Sequence, residues 1–181
     1  MIAVSICQEM ANKGVFSVYS DSDASKMLEF FLYYAAPVHT SPLSIDLPNS
    51  LSETVKRDLV RDLCKRAGCA ESDFIFYSFR DQSQKIRDLD AACLSDETFV
   101  PDRSKGFFCR HVPNNRQKGS PECEFDCIIK HIRNSLAHGR VTDAGKYAIL
   151  EDKKNNLTMR LVIEPGVLLD WADEIQASFD L

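Results

Sequence analysis

The 181-residue chain reads as a mainly α-helical domain that closes with a C-terminal β-hairpin and a final helix. Three observations carry this reading. Apolar residues recur at i, i+3, i+4 spacing in successive stretches up to residue 138. After Gly139 the period changes to two, with a turn signal at Lys153-Lys154-Asn155-Asn156 between two alternating runs. Helical spacing then returns in Leu168, Leu169, Trp171, Ala172, Ile175 and Phe179.

Residues 2–12 carry Ile2, Ile6 and Met10 and suggest a short helix ending at Asn12-Lys13-Gly14. Residues 15–19 are a short strand or an extended lead-in. Asp21-Ser22-Asp23 is expected to cap a dense apolar helix through Met27, Leu28, Phe31 and Leu32, running to Ala36 before Pro37. Three prolines and several serines make 37–50 a loop. Ser52 and Glu53 open an amphipathic helix through Val55, Leu59, Val60, Leu63 and Cys64, which stops near Gly68. One or two helices are expected over 72–94, and a long polar loop over 95–120.

The motif helix, 121–138, follows. Ser120-Pro121-Glu122 combines a cap hydroxyl, a proline suited to the first helical position and an acid at the positive end of the dipole. Gly139 is its stop, because glycine takes a left-handed conformation cheaply. Phe125, Ile128, Ile129, Ile132 and Leu136 form one apolar stripe. At ~100° per residue, the opposite side receives Cys123, Cys127, Lys130, His131, Asn134 and His138. Arg133 lies on the flank, about 140° round from His138. Beyond Gly139, a hairpin over 146–163 and a helix over 167–180 complete a single domain, 1–181, and Val141-Thr142 is a candidate additional short strand.

Composition narrows the functional classes. Hydrophobic and charged fractions are those of a globular protein, and no apolar run approaches the ~20 residues that span a bilayer, so no membrane partner is expected. The N-terminus lacks a basic start and a clean apolar core, which argues against a signal peptide. Seven cysteines at irregular spacings suit a reducing cytoplasm better than a disulfide scaffold. The net charge is −5, yet residues 103–140 hold eight Lys/Arg against three Asp/Glu. A basic segment on an acidic body fits a local anionic partner such as a phosphate backbone; a solvated loop with chance clustering is the plain alternative.

Arg133-Asn134-Ser135-Leu136-Ala137-His138 resembles the Arg-x4-His signature, with a polar residue after the arginine, of the HEPN superfamily. That superfamily comprises small all-helical proteins, many of them metal-independent ribonucleases. The resemblance is close over about ten residues, extended by the preceding apolar helix and the trailing glycine. It implies a HEPN-like helical bundle and a homodimer in which Arg133, Asn134 and His138 of two protomers meet at one composite site. It also implies RNA as substrate, no cofactor, a toxin or phage-defence role, and an antitoxin or regulatory protein as a further partner. One departure is informative: HEPN toxins paired with a nucleotidyltransferase antitoxin often carry tyrosine two residues after the histidine, and Arg140 stands there. Control by nucleotidylation at that position is not supported.

Metal-free RNA cleavage needs a base for the 2′-hydroxyl, a cation for the phosphorane and an acid for the leaving 5′-oxygen. An imidazole titrates near neutral pH and suits either proton role, which points to His138. The Arg133 guanidinium can fork onto two phosphate oxygens. Asn134 can donate to phosphate or hold the histidine. Lys130 and His131 are candidate substrate contacts or supporting groups, and Arg140 is a candidate contact to backbone phosphate. The plainer readings make Arg133 a surface cation in an ion pair, His138 a cation satisfying the last helix carbonyls, and Arg140 the first residue of an exposed strand.

Cys123, Cys127 and His131 share a helical face, but one helix spreads them over ~12 Å, too far for a single zinc ion. The cysteines read instead as small apolar residues at the interface of two motif helices. Two other functional classes stay open on the sequence. One is a non-catalytic RNA- or nucleotide-binding module; the other is a protein-interaction module of immunity or antitoxin type.

Overall fold

A computed structural model describes residues 19–35, 50–71, 74–77, 106–110, 123–144, 147–153 and 157–179. Helix α1, Asp21–Leu28, runs without a break into the π-helical segment Glu29–Tyr34. Helix α2 is Glu53–Arg66, α3 is Glu124–Ala137 and α4 is Pro165–Ala177. The strands are β1 Phe74–Tyr77, β2 Gly106–Arg110, β3 Val141–Ala144, β4 Tyr147–Lys153 and β5 Leu157–Ile163. Most of the described residues in regular structure are helical. The expected helix over 2–12, most of the 15–19 segment and the Ser120-Pro121-Glu122 start signal lie outside the described residues.

Local chemistry explains the helix ends. The cap of α1 is Ser20, ahead of the expected Asp21-Ser22-Asp23. Its Oγ accepts from the Asp23 N–H at 3.2 Å and donates to the Asp23 carboxylate at 2.7 Å. Asp21 and Asp23 instead fall in the first turn, where their charge meets the helix dipole. Ser52 caps α2 as expected, its Oγ accepting from the Val55 N–H at 3.3 Å, and Gly68 follows the helix at φ 64°. Helix α3 starts with Cys123 as N-cap, which makes no side-chain cap bond. Its end matches expectation: Gly139 adopts φ 62°, and the N–H groups of Gly139 and Arg140 donate to the Leu136 and Ser135 carbonyls at 3.0 and 2.9 Å. This is a Schellman motif, which satisfies two carbonyls the helix leaves open. Helix α4 begins at Pro165, slightly before the expected Val167, because proline is preorganised for the first helical turn.

The expected hairpin is one part of a larger sheet. Among the described residues, five strands pair in the order β1-β2-β5-β4-β3, with β1 and β2 parallel and the other pairs antiparallel. Strand β1 corrects the helical reading of 72–94 over Phe74–Tyr77, and β2 corrects the loop reading of 95–120 over Gly106–Arg110; the rest of both ranges lies outside the described residues. Both are short runs rich in aromatic residues, Phe-Ile-Phe-Tyr and Gly-Phe-Phe-Cys-Arg. Such residues fit a pleated surface, but runs this short show no diagnostic period. The Val141-Thr142 strand extends to Ala144.

One core joins the helices to the sheet. The stripe predicted on α3 is buried at every position: Phe125, Ile128, Ile129, Ile132 and Leu136 are at most 4% exposed. Helix α3 packs against α2 and the π-helical segment, and also against β4 and β2. Phe125 meets Trp171 of α4 edge-on at 5.8 Å between ring centres, and the Trp171 indole N–H donates to the Leu59 carbonyl of α2 at 2.9 Å. In the hairpin, Met159, Leu161 and Ile163 of β5 face the core with Ala148 and Leu150 of β4.

The side of α3 opposite the stripe is not free. Cys127 and Ser135 are fully buried and His131 is 5% exposed, all within one chain. The expectation that the cysteines line an interface between two motif helices is therefore corrected for Cys127. The helix carries two apolar-facing surfaces, one toward the helices and one toward the sheet.

Candidate functional site

Helix α3 keeps a partly exposed strip along its length, through Cys123, Asp126, Lys130 and Arg133 with Glu124 exposed in the first turn, and it is most open at the C-terminal end. His138 and Ala137 are exposed, while Lys130, Arg133, Asn134 and Arg140 are partly so. Arg133 and Asn134 come from the last full turn, His138 is the C-cap, and the Schellman turn through Gly139 brings Arg140 to the start of β3. The Arg140 carbonyl accepts from the Glu151 N–H at 3.1 Å, which stitches this turn to β4.

A chain of hydrogen bonds orients two of the predicted site residues. The Arg133 Nη2–H donates to Asn134 Oδ1 at 3.2 Å. Asn134 Nδ2–H donates to Asp152 Oδ2 at 3.0 Å. His131 Nδ1 meets the same Asp152 oxygen at 2.7 Å. The amide orientation follows from chemistry: guanidinium can only donate and carboxylate can only accept, so Oδ1 must face Arg133 and Nδ2 must face Asp152.

Electrostatics agree with the geometry. Burial by itself would push the His131 pKa down. The hydrogen bond to Asp152, with a further bond to Cys127 one turn earlier, outweighs burial and raises it to about 9. Burial would likewise raise the Asp152 carboxyl, but the bonds from His131 and Asn134 and the nearby Arg140 charge hold it below the usual carboxylate range. At neutral pH the pair is imidazolium and carboxylate, with Nδ1–H donating. The two shifts point the same way, as they must for a genuine ion pair.

Cys127, His131 and Asp152 thus fall in the order of a thiol, an imidazole and a carboxylate. Cys127 is wholly buried, so its sulfur cannot meet a substrate. The trio supports structure. His131 is accordingly a supporting group and not the substrate contact that was one of its two expected roles.

Among the described residues, no group of three or more His, Cys, Asp or Glu is placed to hold a metal ion. The His138 side chain makes no hydrogen bond or ion pair with another described residue. The Nη1 of Arg140 is buried without a hydrogen-bond partner among the described residues. Arg133 and His138 sit about 140° apart around the helix and ~7 Å apart along it, so they do not stack on one face.

Asp152 is the residue that reading the sequence missed. Its signal was present in the alternation of β4. Ala148 and Leu150 face the core, and Asp152 is the next residue in phase with them, while Glu151 points the other way to pair with Arg160 across the strands at 2.6 Å. A carboxylate in phase with a core face demands a buried partner. The register also shifts between Asp152 and Lys153, and Thr158 Oγ1 donates to the Asp152 carbonyl at 2.8 Å. Irregularities of this kind re-aim a side chain at the end of a ladder.

Comparison with models of known families, with characterised proteins and with solved structures gives no match to this chain. No helix among the described residues is long and apolar enough to cross a membrane.

Proposed function

We propose that the chain is a metal-independent endoribonuclease of HEPN type, built on a HEPN-like fold and acting as a homodimer. The observation that carries this reading is the distribution of exposure on α3. Burial takes the apolar stripe and the line of Cys127, His131 and Ser135, while Arg133 and Asn134 stay partly exposed and His138 is exposed at the C-terminal end. Because Arg133 and His138 diverge around the helix axis, two such ends brought together supply a complete set to one phosphodiester.

In this mechanism one His138 takes the proton of the RNA 2′-hydroxyl, and the 2′-oxygen attacks the adjacent phosphorus. Arg133 neutralises the charge that grows on the non-bridging oxygens. The His138 of the partner subunit gives a proton to the 5′-oxygen as the P–O5′ bond breaks. The products are a 2′,3′-cyclic phosphate and a 5′-hydroxyl. Lys130 and Arg140 extend the positive surface for the flanking phosphates. The biological role that goes with this activity is a toxin or defence effector.

Purified protein incubated with total RNA in EDTA tests the reading. Wild type cleaves and leaves cyclic phosphate ends, and Arg133→Ala and His138→Ala each lose about 10²–10⁴ in rate while melting like wild type. Intact RNA with the wild-type protein, or full activity in either variant, rejects it.

A further inference from the structure

The catalytic signature lies on one helix, but the group that fixes its geometry comes from another element. We infer that Asp152 of β4 is a positioning residue for the reaction proposed above, holding Asn134 and, through Asn134, the guanidinium of Arg133. The inference rests on the ribonuclease reading for its consequence and on the hydrogen-bond geometry of Asp152 for its cause.

Three features distinguish this from ordinary packing. First, Asp152 Oδ2 takes hydrogen bonds from two residues of α3, His131 at 2.7 Å and Asn134 at 3.0 Å, which lie three positions apart and so on adjacent turns of one face. A single oxygen fixes both the rotation of the helix and the rotamer of Asn134. Second, Asn134 has one amide oxygen, and it accepts from Arg133 at 3.2 Å. The amide therefore relays the carboxylate's position to the Arg133 guanidinium. Third, Asp152 is about nine-tenths buried and its backbone is fastened on the far side by Thr158 at 2.8 Å. The anchor is thus more rigid than the group it positions, which is the order that orientation requires.

Charge makes the arrangement selective. Asn134 is neutral and cannot compensate a buried carboxylate, whereas His131 can. Asp152 can therefore stay ionised without spending Arg133 on an internal salt bridge. The guanidinium is aligned through a neutral amide and keeps its positive charge for a phosphate. A carboxylate bonded directly to Arg133 would cancel the charge that the reaction uses.

The test is a double-mutant cycle on a defined RNA oligonucleotide with the full-length protein, measuring kcat and KM for wild type, Asp152→Ala, Asn134→Ala and the double variant. Asp152→Ala lowers kcat about ten- to hundredfold and leaves KM within about threefold. The double variant is no slower than the slower single variant, because both substitutions break one relay. Asp152→Asn retains an oxygen for both donors but no charge, and recovers at least half of the lost logarithm of rate. Should Asp152→Ala melt below the assay temperature, Asp152→Asn carries the cycle, and its smaller loss must vanish in the Asn134→Ala background. Multiplying losses, or a folded Asp152→Ala with wild-type kcat, overturns the inference while the ribonuclease reading stands. A wild-type protein that leaves RNA intact overturns both, so the two failures are told apart.

Discussion

His131 takes a pH-sensitive role that its position on an isolated helix would not suggest. An ordinary imidazole titrates near 6.5, and in this protein His131 titrates at about 9. The native state therefore holds a proton that the unfolded chain releases between those values. The resulting stability is fully present below about pH 6.5 and is lost as pH rises through about 9; by linkage its upper bound is roughly 3 kcal/mol. Asp152 is held low, so its share is present above the ordinary carboxylate range and is lost only as pH falls through its depressed value. Urea unfolding should accordingly give a lower stability at pH 9.5 than at pH 6, by on the order of 2–3 kcal/mol. Replacing His131 with Gln removes most of that difference, and an unchanged slope in His131→Gln would assign it to another group. The same substitution removes the cation paired with Asp152 and leaves it the neutral Asn134 amide, so it also lowers stability at neutral pH.

Elements are set by a few local signals that the chain displays openly. Ser52 caps α2 through its hydroxyl, and Ser52→Ala is expected to cost about 1 kcal/mol by thermal or urea unfolding. Gly139 sits at φ 62°, where a Cβ is strained, so Gly139→Ala is expected to cost about 1–2 kcal/mol. That substitution also disturbs the turn linking His138 to Arg140, so it should weaken the proposed RNA cleavage as well as folding. Trp171 binds three helices at once, filling space against Phe125 and donating to the Leu59 carbonyl. Trp171→Ala is expected to cost about 3–5 kcal/mol, enough to consume much of the stability of an ordinary domain. Each loss is read as a shift in denaturation midpoint.

These elements also show what kind of information a sequence carries. The stop of α3, the cap of α2, the stripe of α3 and the alternation of β4 and β5 all depend on residues within a few positions of one another, and all were legible. The strands β1 and β2 were not. Each offers four or five residues to a period that needs more, and what makes them strands is pairing with each other and of β2 with β5, about fifty residues away. In the site, the placing of Arg133 and Asn134 on the last turn of α3 and of His138 at its end was legible. The burial of His131 was not, and for Asp152 the alternation of β4 signalled a buried partner without showing which donors it meets.

For the whole molecule, the arrangement of α3 governs how two copies can meet. Helices cover one side of α3 and the sheet covers another, and the exposed Ala137 and His138 make its C-terminal end the most open part. The dimer we propose joins at the C-terminal end, around Ala137 and His138. Light scattering should give twice the protomer mass, and Ala137→Glu should return the monomer and abolish cleavage in parallel, since two like charges would face each other across the axis. A wild-type monomer that still cleaves RNA would remove the composite site from the mechanism.

The sequence by itself determined a helix bearing Arg133, Asn134 and His138, its glycine stop, the hairpin that follows and the apolar stripe beneath them. Each of these arises from backbone geometry and from contacts close along the chain. Tertiary structure decided the rest: that the other side of the helix is also buried, that a five-strand sheet buries it, and that Asp152 reaches across from β4 to His131 and Asn134. Periodicity reports the shape of an element but not what lies against it. A carboxylate eighteen residues from its amide partner becomes part of the same site only when the sheet is folded onto the helix.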